Sequence, residues 1–277
     1  MAFYFSKGEN CFILKDREQD DPGSTGPVTE IDPKEEGERS LQQNTTRRLF
    51  GPQGPVLKVK KSHLTLHSPT PLAVLSSAPV GGGRRETRTI VNRHVDKNYY
   101  EADPIAETQH WMEKQGLDPM ETVGMLTAVW VEQVAVVERK SSHVHVAAIV
   151  TAGAGNAARA GASGPVYTQP TPGTINIILA VDGWVTEEAM INAVITVTEG
   201  KVAAMQELSI RDGQGRIATG TTTDAVVIAS TQKPRRGYRH VYAGTASPLG
   251  QAAGQAVFEA VREALMRERL LKEGESW

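Results

Sequence analysis

The chain has 277 residues, 39% of them hydrophobic, with 30 Lys and Arg against 32 Asp and Glu for a formal net charge of -2. That length supports one large domain or two small ones around a real core, and the near-neutral balance gives no electrostatic reason to expect a nucleic-acid partner. One cysteine, Cys11, excludes an internal disulfide and any cysteine-rich metal site; with no basic-then-apolar leader and no apolar run of membrane-spanning length, we expect a cytoplasmic protein without a membrane partner.

Residues 1–16 can form a small hairpin around Lys7-Gly8-Glu9-Asn10, with Phe3, Phe5, Phe12 and Leu14 alternating. From Arg17 to Gln53 the composition turns to Asp, Glu, Gly, Pro, Ser and Gln, too poor in apolar groups to offset the entropy of ordering. Residues 1–53 therefore read as a hairpin and flexible arm, and the main domain, 54–277, starts at Gly54. Val56–Lys60 and His63–His67 alternate as half-exposed strands do, and a further strand over 72–77 follows a proline-marked turn. Gly81-Gly82-Gly83 breaks the pattern with a tight turn or a close approach of backbone to ligand, after which 87–92 resumes as strand. Asp103 and Pro104 open a helix that Gly116 ends. Residues 122–138 lead through a further segment into a strand, and 142–150 is a strand crossing the core.

The most apolar strand, Thr174–Val181, leads into a helix from Thr186 to about Leu208. At 100° per residue Met190, Val194, Val197, Ala204 and Leu208 share a stripe with Lys201 at its centre, so Lys201 points inward. Ile191, Ile195, Val202 and Met205 widen the apolar arc, leaving Glu188, Asn192, Thr196, Glu199, Gln206 and Glu207 for a narrow wet face. A buried ammonium needs a partner, because an unpaired buried charge costs several kcal/mol, roughly. Asp224, at the mouth of the strand Ala225–Ala229, is the candidate, whether the bridge is structural, functional or both. Ser247 and Pro248 open the last helix, with Leu249, Ala252, Ala253, Val257, Val261 and Leu265 on its buried stripe. Strands in twos and threes between helices predict an α+β fold, a mixed and mostly antiparallel sheet packed with about three main helices in a single main domain.

Several motifs bear on chemistry. Gly153-Ala154-Gly155-Asn156-Ala157-Ala158 matches a relaxed dinucleotide fingerprint, but the Gly and Pro residues that follow deny it the helix such a unit needs. His143 and His145, two apart on a strand, could supply two metal ligands, with no third nearby in sequence. No G-x-S-x-G elbow occurs, and Cys11 lies before the arm. What remains is the threonine-rich run Thr219–Thr223 beside Asp224 and Lys201. A buried carboxylate can activate water, and an ammonium or loop amides can hold the oxyanion of a tetrahedral intermediate; the threonines can equally be a strand end bonding its own backbone.

In these blocks the sequence resembles the adenosylcobinamide amidohydrolase family of corrinoid salvage. The likeness runs from about Pro69 to Ala264 through Leu75-Ser76-Ser77-Ala78-Pro79, Asn92, Thr151-Ala152-Gly153 with Asn156-Ala157, Pro172-Gly173-Thr174-Ile175-Asn176-Ile177, Thr198-Glu199-Gly200-Lys201, Ala218-Thr219-Gly220-Thr221 with Thr223-Asp224, and Ala243-Gly244-Thr245 with Pro248-Leu249-Gly250. Two positions depart from the family's pattern: Gly81 stands where Asn is expected, and Gly200 where Ala is expected. The resemblance implies hydrolysis of the amide joining the corrin propionyl group to aminopropanol in adenosylcobinamide, giving adenosylcobyric acid for cobamide synthesis. It implies no protein-bound metal or other cofactor, the cobalt belonging to the corrinoid substrate, and it leaves homo-oligomerisation open. On that reading Asp224 activates water, Lys201 stabilises developing negative charge or sets the acidity of Asp224, and Glu199 is the rival base. Ser77, Gly82, Gly83, Asn92, Asn156, Asn176, Thr198, Thr219, Thr221 and Thr223 are the expected substrate contacts. A non-catalytic corrinoid-binding module and a nucleotide-dependent transferase are the competing readings.

Overall fold

The computed structural model describes residues 45–163 and 174–274, with side chains to residue 271. The expected hairpin over 1–16, and the arm as far as residue 44, lie outside the described residues. Among the described residues the elements in chain order are β1 (Thr45–Arg48), β2 (Val56–Lys60), β3 (His63–Ser76), β4 (Gly83–His94), α1 (Pro104–Lys114), β5 (Thr122–Thr127), β6 (Ala135–Lys140), β7 (His145–Ala152), β8 (Ala157–Ala158), β9 (Ile175–Asp182), β10 (Trp184–Val185), α2 (Glu187–Glu207), β11 (Gly220–Thr221), β12 (Ala225–Ser230), β13 (Arg239–His240) and α3 (Pro248–Gly274). β1 adds a strand ahead of Gly54. It pairs antiparallel with β2, and Leu49, the residue after it, is fully buried. A composition averaged over the arm hides one short ladder and one core leucine.

β3 joins two of the expected strands into one. Pro69 and Pro71 mark a register shift between His67 and Leu72, not a turn, and a bulge there bends the strand. Before the bend one edge of β3 pairs with β2; after it the strand pairs with β12; its other edge pairs with β4 on both sides of the bend. Gly81 and Gly83, with φ of +64° and +81°, turn the chain between β3 and β4. A Cβ on Gly81 would stand 2.6 Å from the Thr122 carbonyl oxygen, which accounts for glycine at this position.

The main sheet runs β1-β2-β3-β12-β9-β7-β6, with β4 and β5 continuing from β3. It is mixed and mostly antiparallel, as expected, and its two parallel pairs, β4–β5 and β9–β12, have α1 and α2 as their connections. Successive residues of β9 alternate between two cores: Ile175, Ile177, Leu179 and Val181 face α2 and α3, while Ile178 and Ala180 face the layer formed by β2 to β5. Burial on both faces is why this strand reads as an unbroken apolar run. Thr186 caps α2, accepting from the Ala189 N–H, and Ser247 caps α3, accepting from the Gly250 N–H.

The wet face of α2 differs from expectation. Ile191 and Ile195 are 56% and 52% exposed, whereas Thr196 is buried and donates to the Ala243 carbonyl at 2.7 Å. The side that meets α3 is chosen by size: a Cβ on Gly200 would stand 3.0 Å from the Gly254 carbonyl oxygen, and one on Gly254 would stand 3.5 Å from Thr196. Small residues allow the two backbones to approach, so Gly200 suits a close helix contact.

α1 packs on the outer side of β4, where Met112 meets Val80 and Val91 and the Trp111 ring stands edge-on to His63 at 5.2 Å. His63 is buried, and desolvation, assisted by the Lys60 charge, lowers its pKa to about 4. The unfolded chain therefore binds this proton more tightly than the folded one. Well above pH 6.5 His63 is neutral in both states; on acidification from 6.5 towards 4 stability falls by roughly 1.4 kcal/mol per pH unit, about 3 kcal/mol in all. Urea titrations at stepped pH should show that loss in the wild type and a shallower one in His63→Gln.

Candidate active site

Three segments converge where β9 and β12 begin. α2 delivers Lys201, whose residue is 7% exposed, into contact with the Asp224 carboxylate just before β12. Asp224 Oδ2 also accepts from the Thr221 N–H at 3.1 Å, and Oδ1 accepts from the Ile175 N–H at 3.0 Å and from the Thr221 hydroxyl. A carboxylate offers about four lone-pair directions, so ammonium, hydroxyl and two amides fill it. Among the described residues one of the three Lys201 N–H donors is used, and it goes to Asp224. Gly220 makes this closeness feasible, because a Cβ there would lie 2.5 Å from Asp224 Oδ2 and 2.7 Å from Lys201 Nζ.

The glycine-rich loop after β7 and the threonine-rich loop before β12, far apart in sequence, form one short antiparallel ladder. β8 pairs with β11 in register Thr221↔Ala157 and Gly220↔Ala158. Asn156 Nδ2 donates to the Thr222 hydroxyl at 2.6 Å, and the Ala160 N–H donates to the Thr219 hydroxyl at 2.8 Å. The Thr223 carbonyl accepts from the Thr174 hydroxyl at 2.7 Å. A strand, not a Rossmann helix, follows Gly153-Ala154-Gly155. Ser77 is held beside β12, exchanging backbone and hydroxyl hydrogen bonds with Val226, each at 3.0 Å. Gly82 and Gly83 belong to the β3–β4 turn, where a Cβ on Gly82 would meet the Ala78 carbonyl oxygen at 2.3 Å.

Other expected contacts sit elsewhere. Asn92 and Asn176 are buried in the core between the two sheet layers, at 2% and 1% exposure. Asn176 Nδ2 donates to Asn92 Oδ1 at 2.9 Å and to the Leu126 carbonyl at 2.8 Å, and Asn92 Nδ2 donates to the Thr151 hydroxyl at 2.9 Å. Their amides tie β4, β5, β7 and β9 together and are spent on that network. Glu199 and Thr198 lie on the exposed surface of α2, the Thr198 hydroxyl donating back to the Val194 carbonyl at 2.8 Å. Neither belongs to the cluster around Asp224. Ile175, Thr174 and Gly220 do, and the sequence reading did not single them out as site residues; a glycine between two threonines beside a buried acid was the available signal for Gly220.

The two histidines considered as metal ligands diverge. His145 Nε2 meets Glu138 Oε2 at 2.8 Å, and burial lowers its pKa against the opposing pull of that carboxylate. His143, which precedes β7, sets its ring against Tyr238 at 4.6 Å with the planes tilted by 33°. Among the described residues no cluster of three or more His, Cys, Asp or Glu side chains is arranged to hold a metal ion, and no helix is long and apolar enough to cross a membrane.

The Thr221 hydroxyl, the Asp224 carboxylate and the Lys201 ammonium gather beside the starts of β9 and β12, with the Ile175 and Thr221 amides around them. Residues 53–273 match the family described as adenosylcobinamide amidohydrolase. The chain belongs to the adenosylcobinamide amidohydrolase family, and is an amidohydrolase. It is similar to the adenosylcobinamide amidohydrolase of Methanosarcina mazei, with 30% identity over 195 residues covering 68% of this chain and 88% of that one. The protein of the same name from Halobacterium salinarum is 33% identical over 129 residues, 43% of this chain and 50% of its own length. Among solved structures the PH0078 protein of Pyrococcus horikoshii overlays on 82% of this chain and 84% of that one with a TM-score of 0.39 and 13% identity, too loose to define a shared fold.

Removing one member of the largely covered pair leaves the other without its counter-charge. Lys201→Met is expected to lower the unfolding free energy by about 3–5 kcal/mol, and Lys201→Met with Asp224→Leu by clearly less. Denaturant titration of the two variants against wild type checks the difference.

Proposed function

We propose that this protein hydrolyses the amide that joins the propionyl side chain of the corrin ring to aminopropanol in adenosylcobinamide, releasing adenosylcobyric acid for cobamide salvage. The observation that carries the reading is the pairing of buried Lys201 with the largely covered Asp224 beside the Thr221 hydroxyl, in a chain that matches the family over residues 53–273. Asp224 takes the proton from the attacking oxygen and passes it to the departing amine. Lys201, fixed by Asp224 with further N–H donors to spare, counters the negative charge that builds on the carbonyl oxygen.

The surroundings suit an amide-studded, weakly charged ligand. Backbone and hydroxyl groups of the paired 156–160 and 219–223 loops border the pair, and they can meet corrin amides without a basic patch. The substrate brings its own cobalt, no cofactor is called on, and a cytoplasmic setting fits an intracellular salvage step.

Incubating the purified protein with adenosylcobinamide and weighing the corrinoid product tests the reaction. The expected product carries a free propionic acid in place of the aminopropanol amide. In variants shown by circular dichroism to be folded, Asp224→Asn and Lys201→Met should each lower turnover by roughly 10²–10⁴-fold. Unchanged turnover in both would remove these roles.

A further inference from the structure

We propose that the Thr221 hydroxyl is the nucleophile, and that the reaction passes through an ester between Thr221 and the corrin side chain instead of direct attack by water. This inference rests on the amide hydrolysis proposed above. Four donors occupy Asp224: Lys201, the Ile175 N–H, and the N–H and hydroxyl of Thr221. They leave no lone pair on which a water could be held and deprotonated. Among the described residues, the one oxygen-bound proton that Asp224 receives comes from Thr221.

Thr221 stands apart from its neighbours. The Thr219 hydroxyl accepts from the Ala160 N–H and the Thr222 hydroxyl from Asn156, while Thr223 joins Thr174 through its carbonyl. Among the residues 219–223, Thr221 alone places its hydroxyl on the carboxylate. Its backbone is pinned on both sides, by the register with Ala157 and by its own N–H on Asp224 Oδ2. The Thr223 N–H approaches Thr221 Oγ1 at 3.4 Å and steadies the oxygen. A nucleophile held by the base that activates it, and a base oriented by a third group, is the recurring arrangement of covalent hydrolysis.

The step balances. Thr221 Oγ1 forms a bond to the amide carbon as its proton passes to Asp224 Oδ1, and the carbonyl oxygen becomes an oxyanion near the Lys201 ammonium. Collapse breaks the C–N bond, the departing amine of aminopropanol takes the proton from Asp224, and an ester remains on Thr221. That ester has no proton to donate, so Asp224 Oδ1 now has a lone pair free for a water. The water attacks the ester and gives its proton to Asp224, which returns it to Thr221 Oγ1 as the corrin carboxylic acid leaves. The filled carboxylate of the resting site thus becomes a water-binding base only in the second half of the cycle.

The test uses the full chain with adenosylcobinamide. Acid quench of the wild type during steady turnover, followed by peptide mass measurement, should find the peptide containing Thr221 heavier by the corrin acyl group. Folded Thr221→Ala should lose at least about 10³-fold in turnover, and Thr221→Ser should stay within about tenfold of wild type. Turnover by Thr221→Ala within tenfold of wild type overturns the proposal, roughly the margin that separates a nucleophile from a neighbour. If Thr221→Ala does not fold, the quench decides: a wild type that turns over yet shows no Thr221 adduct overturns it. A wild type that releases no aminopropanol at all refutes the proposed substrate, a result separable from either of these.

Discussion

A lysine ammonium and an aspartate carboxylate taken out of water together are the constraint to which the rest of this architecture answers. Neither charge is tolerable alone where it lies, and their attraction offsets desolvation only because further donors complete the carboxylate. Those donors come from places distant in sequence: α2 supplies Lys201, β9 the Ile175 N–H, and the threonine-rich loop both groups of Thr221. Each of these segments is fixed by the need to keep one oxygen pair satisfied. Gly220 has no side chain because there is no volume left for one.

The scaffold positions that centre in two ways. Lys201 and Asp224 are 23 residues apart within a single β9–α2–β12 crossover, so closing the parallel pair brings them together. Behind the crossover, the Asn92, Thr151 and Asn176 side chains hold β4, β7 and β9 in register across the second core, with Leu126 adding β5. α3 then presses on α2 along Thr196 and Gly200, which sets the rotation of α2 and hence the direction of Lys201.

Much of this was legible in the sequence where a residue type conflicted with its surroundings. A lysine in the middle of an apolar stripe had to turn inward, and an aspartate before a fully apolar strand had to meet it. The mixed sheet followed from strands of both-face burial interleaved with half-exposed ones. What the sequence could not reveal depended on the partner across a gap. Asn92 and Asn176 look like ligand-facing amides when each strand is read alone, and only the packing of one layer on another turns them inward. Ile191 and Ile195 look buried by hydrophobicity, yet the smaller Thr196 and Gly200 give the surface that α3 can approach. The β8–β11 ladder joins loops separated by some sixty positions, and no local pattern announces such a pairing; the Asn156–Thr222 bond alone spans 66.

β1 deserves a different kind of consideration, because it precedes the stretch matched by the family and yet belongs to the sheet. Its four residues cover the free backbone edge of β2, Leu49 fills a slot in the second core, and Arg47 reaches across to Glu138 of β6 at 2.9 Å. A shortened chain cut at Gly54 would lose all three at once. It would bare a row of unpaired amides and carbonyls next to a hollow in the apolar interior, the combination that invites strands from other molecules to dock and aggregate.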